Sequence, residues 1–143
     1  VLDTGSDDNT KTIAASHGAE VHEHKWKDDF SEARNKCLEF ARGDWVLFLD
    51  ADEELAPGSA QTLKEDMAKP NILGYRLPLE NIGAQTHGCN YVPRLVRNAP
   101  GLYFIGKIHE TLPYKVFACR KNLFFKCTYS NCVKLIERSY IVI

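Results

Sequence analysis

The chain has 143 residues with 44% hydrophobic and 26% charged side chains, a composition that fits one soluble globular domain or part of one and excludes a disordered, collagenous or coiled-coil chain. No run approaches the roughly 18–20 apolar residues of a membrane helix. A formal net charge of −1 predicts no strong pull towards nucleic acid or anionic lipid.

The average conceals a division. Residues 1–113 carry 12 Lys and Arg against 18 Asp and Glu, whereas residues 114–143 carry 6 basic residues and only Glu137. Cys119, Cys127 and Cys132 fall in the same last stretch, at a spacing that matches no zinc pattern. The opening residues carry no basic and apolar leader, so free thiols in a reducing cytoplasm are the expectation.

Val1-Leu2 reads as the end of a buried strand running into Asp3-Thr4-Gly5-Ser6, which suggests a fragment whose start lies upstream. Ser6-Asp7-Asp8-Asn9 supplies helix-capping chemistry, a short helix is predicted over 9–17, and Gly18 would end it. Residues 19–24 form a predicted strand and 25–29 a polar loop. Phe30, Ala33, Cys37, Leu38 and Ala41 share one face of a predicted helix over 30–42, capped by Asp28 or Asp29 and ended by Gly43. Trp45-Val46-Leu47-Phe48-Leu49 is too short for a helix and fits a strand covered on both faces, as in a parallel sheet. Pro57 opens a predicted helix over 58–68 that Pro70 closes. Strands follow over 72–79 and 91–96. Alternating strands and helices predict an α/β sheet with right-handed crossovers.

The strongest candidate site follows the central apolar strand at Asp50-Ala51-Asp52-Glu53. Carboxylates at the C-terminal end of a buried strand lie where open α/β sheets bind ligands, and strand alternation would aim Asp50 and Asp52 the same way. Paired hard oxygens suit Mg²⁺ or Mn²⁺ with phosphate completing the shell. The plainer reading is a solvated loop that caps the next helix. Asp3 ends an earlier strand in the same manner, where it can accept a hydrogen bond from a base or ribose or simply cap a turn. Arg34 and Asn35 flank the apolar stripe of the long helix and read on spacing as a solvated face. His109-Glu110 could supply a metal ligand and a general base, or form a polar surface turn. His22 and His24 read as an exposed strand face, and Trp26, Phe30, Phe40 and Trp45 as core.

Four segments in order resemble the family 2 glycosyltransferases, nucleotide-sugar transferases of GT-A type. They are Val1 to Thr10, Trp26-Lys27-Asp28-Asp29-Phe30-Ser31-Glu32-Ala33-Arg34-Asn35, Gly43 to Glu53, and Pro93-Arg94-Leu95-Val96-Arg97-Asn98 leading to Gly106-Lys107-Ile108-His109-Glu110. The second and last are most similar to the bacterial branch whose catalytic domain often precedes tetratricopeptide repeats. The resemblance covers about residues 1–113. It implies a Rossmann-like nucleotide-sugar-binding sheet flanked by helices, incomplete at the N-terminus because the family's first strand would precede Val1. It also implies Asp3 on the uracil of a UDP-sugar, Asp50 facing ribose or metal-bound water, and Asp52 on Mn²⁺ or Mg²⁺. Arg34 and Asn35 would border the nucleotide pocket, and His109 with Glu110 would lie near the acceptor, Glu110 being the candidate base. The implied reaction is single displacement with inversion onto a glycan, lipid or polypeptide acceptor. No nucleic-acid partner is expected, and membrane association, if any, would be peripheral. Residues 114–143 stop resembling the family and read as a diverged tail or a reading-frame artefact. Two other functions fit the D-x-D: a non-catalytic nucleotide-binding fragment, and a Mg²⁺-dependent phosphatase of haloacid dehalogenase type. The phosphatase pattern has Thr or Val where this chain has Glu54, and its motif would not sit mid-chain.

Overall fold

The computed structural model describes residues 1–50, 52–82, 90–108, 110–112, 118–119 and 125–128. The expected Cys-rich tail lies largely outside them.

Strand β1 (Leu2–Asp3) leads through helix α1 (Thr10–Ser16) to β2 (His22–Glu23), and the two strands pair in parallel with Leu2 opposite His22. The ladder extends past the strands, since His24 N–H donates to the Asp3 carbonyl and Trp26 N–H to that of Thr4. Gly18 follows the helix at φ +80°, the left-handed position a C-terminal glycine fills without steric cost. At the other end the capping carboxylate is that of Asp8, which accepts from Thr10 N–H at 2.9 Å, while the Asn9 side chain makes no cap bond.

Helix α2 (Phe30–Leu38) starts where Asp29 caps it, its side chain accepting from Glu32 N–H at 3.0 Å. It ends four residues earlier than the apolar stripe suggests. Phe40 and Ala41 N–H groups reach back only three residues, to Cys37 and Leu38, so the last part tightens into turns. Strand β3 (Trp45–Leu47) precedes the acidic turn, and a short β4 (Glu53–Leu55) follows it where no strand is expected from sequence. Helix α3 (Ser59–Met67) leads to the hairpin of β5 (Gly74–Ile82) and β6 (Asn90–Arg97); β7 (Ala118–Cys119) and β8 (Phe125–Thr128) complete the elements.

The larger sheet has the order β3-β6-β5-β8-β4, with β7 also beside β5. The central run was expected to be a parallel strand, but β3 pairs antiparallel with β6, Val46 opposite Val96 and Leu47 opposite Leu95. The apolar run reflects burial on both faces, which a strand direction does not determine. Val46 and Phe48 turn to one core with Leu2, Ala33, Cys37, Val96, Phe104 and Leu112. Trp45, Leu47 and Leu49 pack on the other, built from Leu63, Tyr75, Leu77 and Leu95. Helix α2 therefore covers one face and α3 the other.

Trp26 and Phe40 are partly buried against the first core and Trp45 against the second, while Phe30 meets Trp26 edge to face. The two strand histidines are less open than expected. His22 stacks on Phe40 with centroids 3.6 Å apart, and His24 lies 3.2 Å from Glu32. Cys37 is a buried thiol whose pKa burial pushes up to about 11, so it packs as a small apolar group. Among the described residues no helix is long and apolar enough to cross a membrane.

Phe48 is 1% exposed and meets Phe104 edge to face at 4.9 Å. Replacing Phe48 by Ala is expected to cost about 3–5 kcal/mol of folding stability, measured by urea denaturation.

Candidate functional site

The site forms where β3 runs out. Phe48 N–H still donates to the Arg94 carbonyl at 2.8 Å, holding the end of the apolar run against β6. Beyond it the chain turns. Glu53 N–H donates to the Asp50 carbonyl at 2.9 Å, and the Glu53 carboxylate accepts from Asp50 N–H at 3.1 Å. Strand alternation, which would have aimed Asp50 and Asp52 together, thus does not reach these residues; a closed turn sets their directions.

Asp50 sits between two guanidinium groups. Its Oδ1 accepts from Arg34 Nη2 and its Oδ2 from Arg94 Nη2, each at 2.7 Å. Arg34 comes from α2 and is 4% exposed, its charge lying over the rings of Phe48 and Phe104 at 5.7 and 5.6 Å. Its Nε donates to Glu110 Oε1 at 2.5 Å, so one guanidinium joins carboxylates 60 residues apart in the chain. Arg94 Nη2 also donates to Glu53 Oε1 at 2.5 Å. The cluster thus joins three carboxylates through two cations.

These contacts set the charge states. Burial acts to raise the Asp50 carboxyl, but Arg34 and Arg94 outweigh it and hold the group below the ordinary aspartate value. Burial pushes Glu53 above its ordinary value; Arg94 opposes that and the Asp50 charge adds to it. Burial works against the Arg94 charge, yet Asp50 and Glu53 keep its pKa raised. Glu53, read from sequence as a third carboxylate of the motif, instead turns inward to lock the turn.

Asp3 is a separate anchor point. Its Oδ1 accepts from the N–H groups of Gly5 and Ser6, both at 3.0 Å, while its buried Oδ2 has no partner. Burial raises the carboxyl, and the Ser6 and Gly5 bonds with Lys11 more than offset it, so the pKa is lowered. Asn35 clamps the backbone of Phe104, accepting its N–H at 2.6 Å and donating to its carbonyl at 2.9 Å. With one bond at each polar end, Asn35 holds the segment before Glu110. An isolated bridge of Ile105 with Thr111 closes the loop that carries Glu110. His109 lies outside the described residues.

Arg94 is a site residue that reading the motifs did not single out. It is two residues before buried Val96 on the same face of β6, so it points to the α2 side of the sheet. Only the β3–β6 register brings it to the acidic turn.

Among the described residues no three His, Cys, Asp or Glu side chains form a metal cage. Both Asp50 oxygens are engaged by guanidinium groups, and Asp52 is partly exposed in the turn. This donor set fits an ion that takes one carboxylate from the protein and completes its shell with phosphate and water. It does not fit direct ligation by Asp50 unless a guanidinium yields its place. A cavity of about 410 Å³ lies elsewhere: Val1, His22 and Trp45, among its lining, lie at the N-terminal ends of their strands. Asp3 and Asp50 occupy the opposite, C-terminal ends, where open α/β sheets hold ligands, so the acidic turn is the better candidate.

A mixed α/β sheet with helices on both faces is the architecture of a GT-A transferase. The chain belongs to glycosyl transferase family 2, whose family model matches residues 1–127. It is 38% identical over 122 residues to a TPR repeat-containing protein of Synechococcus elongatus, covering 85% of this chain and 30% of that protein. It is also 46% identical over 54 residues to the SPbeta prophage-derived glycosyltransferase SunS of Bacillus subtilis, covering 36% of this chain and 13% of the relative. An uncharacterized protein of Mycobacterium tuberculosis is 33% identical over 75 residues, half of this chain and 24% of its own length. The chain therefore spans a third or less of the length of these relatives. Family membership sets the phosphatase alternative aside.

Because the Asp3 pKa is lowered by folding, its contribution to stability is complete above the unfolded value and is lost as pH falls through the folded one. Melting temperature should drop as pH falls below about 4, the ordinary aspartate range. Asp3→Asn should show a shallower drop in the same thermal melts.

Proposed function

We propose that the chain carries the donor site of an inverting glycosyltransferase that moves a sugar from a UDP-sugar to an acceptor with the help of Mn²⁺ or Mg²⁺. The observation that supports this best is the joining of Asp50 to Glu110 through Arg34. Asp50 and Glu110, which the reading takes as a donor-site carboxylate and the base, meet on one buried cation.

Charge gives the reason for an ion. Asp50, Glu53 and Glu110 share Arg34 and Arg94, three carboxylates on two cations, and Asp52 adds a further carboxylate to the same turn. A diphosphate would be repelled by such a surface unless a divalent cation bridged the two. Asp52 would hold that ion, with Asp50 behind it in the turn. When bound, the ion supplies electrostatic stabilisation of the departing diphosphate. The remaining work belongs to the chain. The orphaned Asp3 Oδ2 would accept the imide N–H of uracil. Arg34, whose buried Nη1 has no partner, would keep Asp50 ionised and orient Glu110. Glu110 would take the acceptor hydroxyl's proton on the side opposite the leaving group, which gives inversion; His109 is its expected neighbour. The acceptor would be a glycan, lipid or polypeptide.

The test is the melting temperature of the chain with UDP, with and without Mn²⁺, followed by donor turnover. A stabilisation that needs UDP and Mn²⁺ together, and that Asp52→Ala removes, is the expected result. Asp52→Ala should also lower metal-dependent turnover by roughly 100-fold or more, the scale of losing one preorganised electrostatic contact. Binding without turnover would favour a non-catalytic nucleotide-binding module, and unchanged turnover in Asp52→Ala would remove Asp52 from the site.

A further inference from the structure

The acidic turn has an arrangement that its own sequence does not require. Glu53 is bonded to Asp50 twice, through its backbone N–H and its carboxylate. Its side chain is 3% exposed, so it is closed off from solvent. A carboxylate buried so deeply is costly unless a cation and hydrogen bonds meet it. Arg94 provides the cation, and the same Nη2 holds Asp50 Oδ2. Arg94 is itself fixed, because its carbonyl accepts from Phe48 N–H, which ties its backbone to the end of the β3 run. Both ends of the turn are thus pinned to one point on a neighbouring strand, and Asp52 lies between those ends.

We propose that Arg94 is a positioning residue, which holds the Asp50–Glu53 turn closed and thereby fixes where Asp52 is presented to the donor's metal–diphosphate group. The inference rests on the donor-site reading above and adds to it a residue that touches neither sugar nor ion. Arg94 acts through geometry: a rigid planar guanidinium holds the one nitrogen that fastens both ends of the turn, whereas a lysine would keep the charge on a flexible, rotatable ammonium. With the clamp loosened, Asp52 would sample several positions, and the ion's affinity would fall although every ligand remained in the chain.

The experiment titrates Mn²⁺ calorimetrically into the full chain saturated with UDP, and records the melting temperature of each variant. Arg94→Lys is expected to melt near the wild type while its Mn²⁺ affinity falls by about 10- to 100-fold, the usual cost of losing an outer partner of a metal ligand. A folded Arg94→Lys with wild-type Mn²⁺ affinity would overturn the proposal. A second variant, Arg94→Met combined with Glu53→Gln, removes the buried Glu53 charge that would otherwise be stranded. It should recover stability relative to Arg94→Met alone and still bind Mn²⁺ weakly; recovery of wild-type affinity would show that Arg94 only neutralises Glu53, and would overturn the positioning role. If the wild-type chain takes up no Mn²⁺ with UDP, or if Asp52→Ala leaves that uptake unchanged, the donor-site reading itself fails and the Arg94 inference falls with it.

Discussion

A carboxylate held between two guanidinium groups is the constraint around which this chain is arranged. Asp50 would be costly to keep charged so near the core if it stood alone, because burial disfavours the ionised form. Arg34 and Arg94 reverse that preference, but they are buried too and need Asp50 as much as it needs them. Each also reaches a second carboxylate, so α2, the end of β3, the start of β4, β6 and the Glu110 loop meet in one ionic cluster. Such a cluster defines a relative placement of elements more sharply than apolar packing does, since each bond has a direction and a length.

The apolar framework makes that cluster possible by separating two cores. Along β6, Leu95 turns to the core under α3 and Val96 to the core under α2, and Arg94 belongs to the second face. The side chains over α2 are those that bring Arg34 beneath Phe48 and Phe104. Asn35, one position later on the same helix, then fastens the Phe104 backbone. Fold and site are therefore not separable at this end of the sheet: the helix that supplies the buried cation also secures the segment that delivers its second partner.

Much of this was legible before any coordinates. The 3.6-residue recurrence from Phe30 onward located α2, Asp28 or Asp29 marked its start, the structure choosing Asp29, and Gly18 marked the end of α1, because periodicity and capping depend on neighbours close in sequence. The acidic motif was visible as charges that abruptly end an apolar run. What local sequence could not supply was direction and partnership. Five apolar residues report burial on two faces, and that is equally true of the antiparallel strand found here. Glu53 looked like a companion to Asp50 and Asp52, and its inward turn follows from Arg94, 41 residues away. Arg94 stood within a resembling segment but had no role there, since its importance arises from the pairing of β3 with β6. Asn35 resembled a solvated helix position until its two bonds to Phe104 gave it a structural task.

The β3–β6 pairing makes strand β6 behave as a ruler. Against β3 its residues are assigned to faces by parity, while the register shift against β5 falls at Arg94 itself, between Pro93 and Leu95, and the ionic cluster reads that one mark on the scale. A side chain at Leu95 or Val96 could change within limits of size, because the neighbouring core adjusts by small displacements. Adding or deleting one residue between Arg94 and Arg97 is a different kind of change, because a slip of one exchanges every face of a strand. Leu95 would then be presented to the ionic side and the guanidinium to the apolar one. Descent with modification in this strand should therefore run through substitutions at constant length, with changes of length confined to places where parity carries no meaning.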